Sequence, residues 1–216
     1  MKLLTFCLLA GVFPGLSQGR GATFAPITLY TQFPQAPPEG VLQALQDEVG
    51  SIMEPIGLRF EWRDLSKAGG HEVSAELAVI TFKGRCDAES LVSRGKFEGA
   101  LGWTHVSDGQ ILPFTDVSCD RVREFLGAGL LALAAAEREE KFGRALGRVL
   151  AHELYHIFAN TTRHGSLGVA KESYSVQDLL SDDFQFEAKE SRMMQAGRPR
   201  PAVEATTGTA STAGSM

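Results

Sequence analysis

A chain of 216 residues, 44% apolar and 22% charged, has the composition of an ordinary globular protein and is long enough for one domain with a sizeable core. Its formal net charge of −5, without any basic cluster, removes the electrostatic basis for nucleic acid or an anionic membrane surface as partner. Fold class must come from pattern.

Residues 1–19, MKLLTFCLLAGVFPGLSQG, combine Lys2, a short apolar stretch over 3–16, and small Ser17 and Gly19 before a cleavage point. This is the pattern of a secretory signal peptide. The apolar part is shorter than the roughly 20 residues of a membrane-spanning helix, and Pro14 interrupts it. Its removal deletes one lysine and no acid, taking the net charge from −5 to −6. A secreted or periplasmic protein without stable membrane insertion is expected. Cys7 leaves with the signal, and Cys86 and Cys119 remain as an even pair in an oxidising compartment, which predicts a disulfide between them.

The run ITLYTQF (27–33), rich in β-branched and aromatic residues, predicts a strand. Over 37–57, Val41, Leu42, Leu45, Val49 and Ile52 recur at helical spacing, and Gly57 closes the helix. LRFEWRDL (58–65) alternates Leu58, Phe60 and Trp62 on one face, as a half-buried strand does, and ELAVITFKG (76–84) is an apolar run suited to the inside of a sheet. Over 99–119, Asp108-Gly109 separates two strand-like segments and signals a hairpin. GAGLLALAAA (127–136) reads as a packed helix or a hydrophobic loop near the site, and a long helix follows over 137–160. A short helix around 176–180 and a charged helical stretch over 182–195 come next. The last residues, 197–216, hold almost no large apolar side chain and are expected to be disordered. Strand, helix, strand, strand is the opening of a mixed α/β sheet.

Within the long helix stands HELYH (152–156). Residues four apart on a helix share a face, so His152 and His156 can reach one metal ion, while Glu153 points aside to meet a water on that metal without ligating it. Zinc lowers the pKa of such a water to about 7, and a carboxylate can then take its proton as it attacks a carbonyl. A catalytic zinc usually has three protein ligands and an open fourth position. His164 is the nearest third ligand, provided the helix stops soon after Phe158 and the chain reverses through ANTT (159–162), with Asn160 as the residue suited to a left-handed turn.

HELYHIFANTTRH resembles the metzincin clan of zinc metallopeptidases, whose motif is H-E-x-x-H-x-x-G-x-x-H followed by a methionine-containing turn. Here seven residues, 157–163, separate the second and third histidines, and Ala159 stands at the glycine position. Gly168-Val169-Ala170 stands where the turn is expected, with Ala170 in the methionine's place. The resemblance implies an α+β, metzincin-like zincin fold: a mixed, mostly parallel twisted sheet with an antiparallel edge strand, a backing helix and an active-site helix. It implies one catalytic Zn2+ held by His152, His156 and His164, Glu153 as general base, and an extended peptide or protein substrate paired with an edge strand inside 99–117. Trp103, Ile111, Leu112 and Phe114 there are equally readable as core.

Three rival readings accompany this one. A glutamate from a later segment, Glu172, Glu187 or Glu190, could replace His164 as third ligand, the metal could staple a non-catalytic secreted binding protein, or the same zinc-water chemistry could serve an extracellular hydrolase of a non-peptide amide. Tyr155 reads as packed, and Tyr174 as a residue able to approach the metal. His71 and His105 lack partners at ligand spacing. The organisation expected is a signal peptide over 1–19, a catalytic domain over 20–196 and a tail over 197–216, acting as a monomer.

Overall fold

β1 (Ile27–Gln32) carries the β-branched run expected of a strand, and its first four residues are buried. They belong to a computed structural model that describes residues 26–89 and 99–196; the expected signal peptide and tail lie outside the described residues. β2 (Phe60–Asp64), β3 (Leu77–Lys83), β4 (Gly102–Ser107) and β5 (Gln110–Ser118) complete a sheet in the order β2-β1-β3-β5-β4. Among the described strands, only β4 with β5 is antiparallel. The fold is therefore α+β around a mixed, mostly parallel sheet with an antiparallel edge strand. The apolar run assigned to the sheet interior is β3, with Ala78, Ile80 and Phe82 fully buried.

α1 (Glu39–Met53) crosses from β1 to β2, burying Val41, Leu45, Val49 and Ile52, and Gly57 closes the following turn at φ 85°. α3 (Ala135–Phe158) packs on α1 through glycines. A Cβ on Gly143 would stand 2.4 Å from the Val41 carbonyl oxygen, and one on Gly147 would stand 2.8 Å from that of Leu45. The two backbones approach as only glycine permits. Arg148, with no exposed surface, locks this pair: Nε donates to Glu48 Oε1 at 2.6 Å, Nη1 to the Asp178 carbonyl at 2.6 Å, and Nη2 to the Ser181 carbonyl at 2.8 Å. A buried guanidinium is tolerated because its donors are occupied and a carboxylate faces it.

One helix starts earlier, and another is shorter, than the sequence pattern predicts. α2 runs Cys119–Leu130, so the apolar stretch over 127–136 divides between its last turn, a turn over 131–134 and the start of α3. Ser118 caps α2 by accepting from the Arg121 N–H, a cap hidden inside a segment that reads as strand. α4 (Val176–Leu180) falls where expected, behind a Ser175/Asp178 capping box, whereas α5 is only Ala188–Ala196 and residues 182–187 are not helical. Phe184 and Phe186 there serve as packing anchors. The disulfide joins Cys86 to Cys119, closing a separation of 33 residues and tying the end of β3 to the start of α2.

Candidate metal centre

α3 carries His152 and His156 on its buried face, at 7% and 8% exposure. The helix ends at Phe158, and Asn160 adopts φ 45°, the left-handed conformation for which an asparagine suits better than the neighbouring threonines. The Thr161 N–H reaches back to the His156 carbonyl at 3.1 Å, and the chain reverses. His164 thereby returns to the helix: its ring lies 5.2 Å from that of His152 and 4.9 Å from that of His156, and one ligand nitrogen from each residue falls within a 4.8 Å span.

The hydrogen bonds decide which nitrogens are free. His152 Nδ1 lies 2.8 Å from the Val169 carbonyl and His156 Nδ1 lies 2.7 Å from that of Thr161. A carbonyl only accepts, so both Nδ1 atoms carry the proton and both Nε2 atoms present lone pairs. Those two Nε2 atoms are 3.1 Å apart. Two lone pairs at that separation repel each other unless a cation lies between them, and ligands about 2.0–2.1 Å from a tetrahedral ion stand about 3.3 Å apart. Burial, aided by repulsion from His156 and His164, pushes His152 down to about 4, and burial lowers His156. Both are neutral and ready to ligate at neutral pH. These three histidines can hold a metal ion.

The turn over Gly168–Ala170 lies beneath them. Gly168 stands at φ 63°, where a Cβ would meet the Gln185 carbonyl oxygen at 2.1 Å; Val169 and Ala170 are fully buried, and the Val169 carbonyl holds the His152 ring. The Tyr174 hydroxyl also donates to Val169 O and sits 2.9 Å from His152 Nδ1, so this phenol braces the His152 ring from behind. Tyr155 is buried, its hydroxyl donating to the Arg163 carbonyl at 3.1 Å, which fixes the loop leading to His164.

Glu153 is 5% exposed and holds no imidazole. Its Oε2 accepts from Thr104 Oγ1 on β4 at 2.8 Å. Burial pushes the carboxyl up to about 7, against the lowering effect of the Thr104 bonds. β4 can come this close because residue 102 is glycine: a Cβ there would stand 3.0 Å from Glu153 Oε1. Thr104 and Gly102 were not legible as site residues, since β4 meets α3 across 49 positions of sequence.

The centre opens on a cavity of about 520 Å³ walled by Leu101, Trp103, Val106, Ile111, Phe125 and Val149. The pairing of β4 with β5 passes from Thr104↔Thr115 to Val106↔Ile111, so Leu112, Pro113 and Phe114 oppose His105 alone. This bulge leaves Pro113 without a ladder bond to donate and carries Val106 and Ile111 to the cleft. Trp103 and Ile111 are thus cleft walls, while Phe114 is 44% exposed. His105 pairs with Asp116 at 2.8 Å outside the cleft, and His71 is exposed in a loop.

Among the described residues, His152, His156 and His164 form the metal-competent cluster, and the alternative third ligands stand outside it. Glu187 is exposed, Glu190 is buried against Gly165, and Glu172 lines the cavity. Comparison of the chain with protein-family models and with curated proteins returns no match. Function is therefore argued from the site.

Proposed function

We propose that the protein is a secreted zinc-dependent endopeptidase with a metzincin-like site. The observation that carries the reading is the pair of facing Nε2 lone pairs, completed by His164, beside a carboxylate that remains free of the cluster and borders an open cavity. Three imidazoles, with no fourth protein ligand in the cluster among the described residues, are the donor set of a catalytic zinc, whereas a structural zinc usually closes all four positions with protein. When bound, zinc supplies Lewis acidity, lowering the pKa of water toward about 7 and polarising a substrate carbonyl.

The chain's own groups do the rest. Glu153 takes the proton of the attacking water and delivers it to the leaving amine, and Thr104 orients the carboxylate through Oε2. The Val169 and Thr161 carbonyls hold the two helix imidazoles in the tautomer that leaves Nε2 free. β4 pairs on one side with β5, and among the described residues no strand occupies its other edge. An extended peptide added there would run past Glu153 through main-chain hydrogen bonds. The disulfide supports an oxidising destination, in keeping with a signal peptide over 1–19.

The test is metal analysis of the purified protein together with a peptide-library digest with and without chelator. Glu153→Ala should keep stoichiometric zinc and lose at least a hundredfold in kcat/KM, within the roughly 10²–10⁴ expected of a general base. His164→Ala should lose the metal. Wild-type rates in Glu153→Ala would refute the mechanism.

A further inference from the structure

Among the described residues, the cavity wall around the metal centre carries little formal charge. Apart from Glu153 and the histidines, the described lining contains one further carboxylate, Glu172, and no lysine or arginine. Glu172 follows directly on the backbone bridge between Gly165 and Lys171 and precedes Tyr174 by two positions, whose hydroxyl is tied to Val169. Its backbone is thus pinned on both sides. The neighbouring cation is committed elsewhere, since Lys171 Nζ binds Asp178 Oδ2 at 2.6 Å. Among the described residues no cation pairs with Glu172.

An exposed carboxylate on a firmly held stretch that lines the cleft, with no cationic partner among the described residues, has its charge available to a ligand. We propose that Glu172 selects a cationic group of the substrate, so that the cleft takes peptides pairing a positive charge with bulky apolar side chains. The apolar half of that preference belongs to Leu101, Trp103, Val106, Ile111 and Phe125, and the charged half to Glu172. This rests on the peptidase reading above. The cation is either a lysine or arginine side chain or the α-ammonium of a peptide, two sources with the same chemistry.

The experiment uses the zinc-loaded full chain and peptides of one apolar sequence. One position at a time carries lysine, norleucine or glutamate, each peptide having a free or an acetylated amino terminus. Attraction and repulsion at an exposed carboxylate are each worth up to about fivefold, so lysine should exceed glutamate by several-fold, up to about 25-fold, in kcat/KM at one position. Glu172→Gln should flatten that ratio and Glu172→Lys invert it, and the wild-type ratio should shrink as salt rises. A preference that vanishes on acetylation assigns the α-ammonium; one that survives assigns the side chain. Cleavage with no charge preference at any position, or a preference unchanged in both variants, overturns the proposal while leaving the peptidase reading standing. If no peptide is cleaved, the peptidase reading fails, and binding of the same peptides by fluorescence anisotropy decides the point: lysine favoured by the wild type and glutamate by Glu172→Lys supports it, and equal binding overturns it.

Discussion

Replacing Glu153 by glutamine in the metal-free protein should stabilise it at alkaline pH and have little effect in acid. Burial raises this carboxyl from 4.5 to about 7, so the folded chain keeps a proton that the unfolded chain releases. For a group whose folded value lies above its unfolded one, the favourable contribution is complete below the unfolded pKa and is lost as pH rises through the folded pKa. Wild-type stability therefore declines between pH 4.5 and about 7, and the gap between these values corresponds to about 3 kcal/mol. Glutamine does not ionise, yet its carbonyl can still accept the Thr104 bond, so the variant escapes the decline. For a domain of this size the melting temperatures should separate by about 6–12 °C at pH 8 and converge near pH 4. The opposite titration of His152, which is pushed down to about 4, is common to both proteins and cancels in the difference. Thermal unfolding by circular dichroism, in chelator from pH 4 to 8.5, measures the gap. An offset that does not change with pH would refute the argument, and added zinc should narrow the gap, because a nearby cation favours the ionised carboxylate.

Gly143→Ala should destabilise the fold by about 1–3 kcal/mol despite the better helix propensity of alanine, because the added methyl would press on the Val41 carbonyl at 2.4 Å. Denaturant unfolding checks this, and a stabilised variant would mean that α1 and α3 are less tightly packed than described. Asn160→Gly should leave stability and zinc affinity close to wild type. Asn160→Val should cost about 1–2 kcal/mol and weaken zinc binding, since φ 45° is unfavourable for a β-branched residue and the turn returns His164 to the centre. Calorimetric zinc titration of both variants reads the contrast; equal affinities would remove Asn160 from any role in the turn.

Much of this was written locally. The β-branched run of β1, the apolar run of β3, the Asp108-Gly109 hairpin with both residues at positive φ, the helix end after Phe158 and the reversal at Asn160 are each specified by a few neighbouring residues, whose backbone preferences act locally. So was the pairing of His152 with His156, fixed by the pitch of one helix. The start of α2 is not legible locally, because its cap, Ser118, ends β5 without any gap between the two elements. Residues 182–187 carry the charges of a solvated helix face, yet they are not helical, and Phe184 and Phe186 are held by packing.

What the amino-acid order determined by itself was the chemistry on offer: two imidazoles one helical turn apart, a third within reach of a turn, and a carboxylate between them. Tertiary structure alone decided how those groups are used. It places the Val169 carbonyl behind His152, Thr104 on Glu153 and Glu172 on the cleft wall, through contacts between segments far apart in the chain. Desolvation and hydrogen-bond geometry depend on what packs around a group in three dimensions, and no local pattern encodes that.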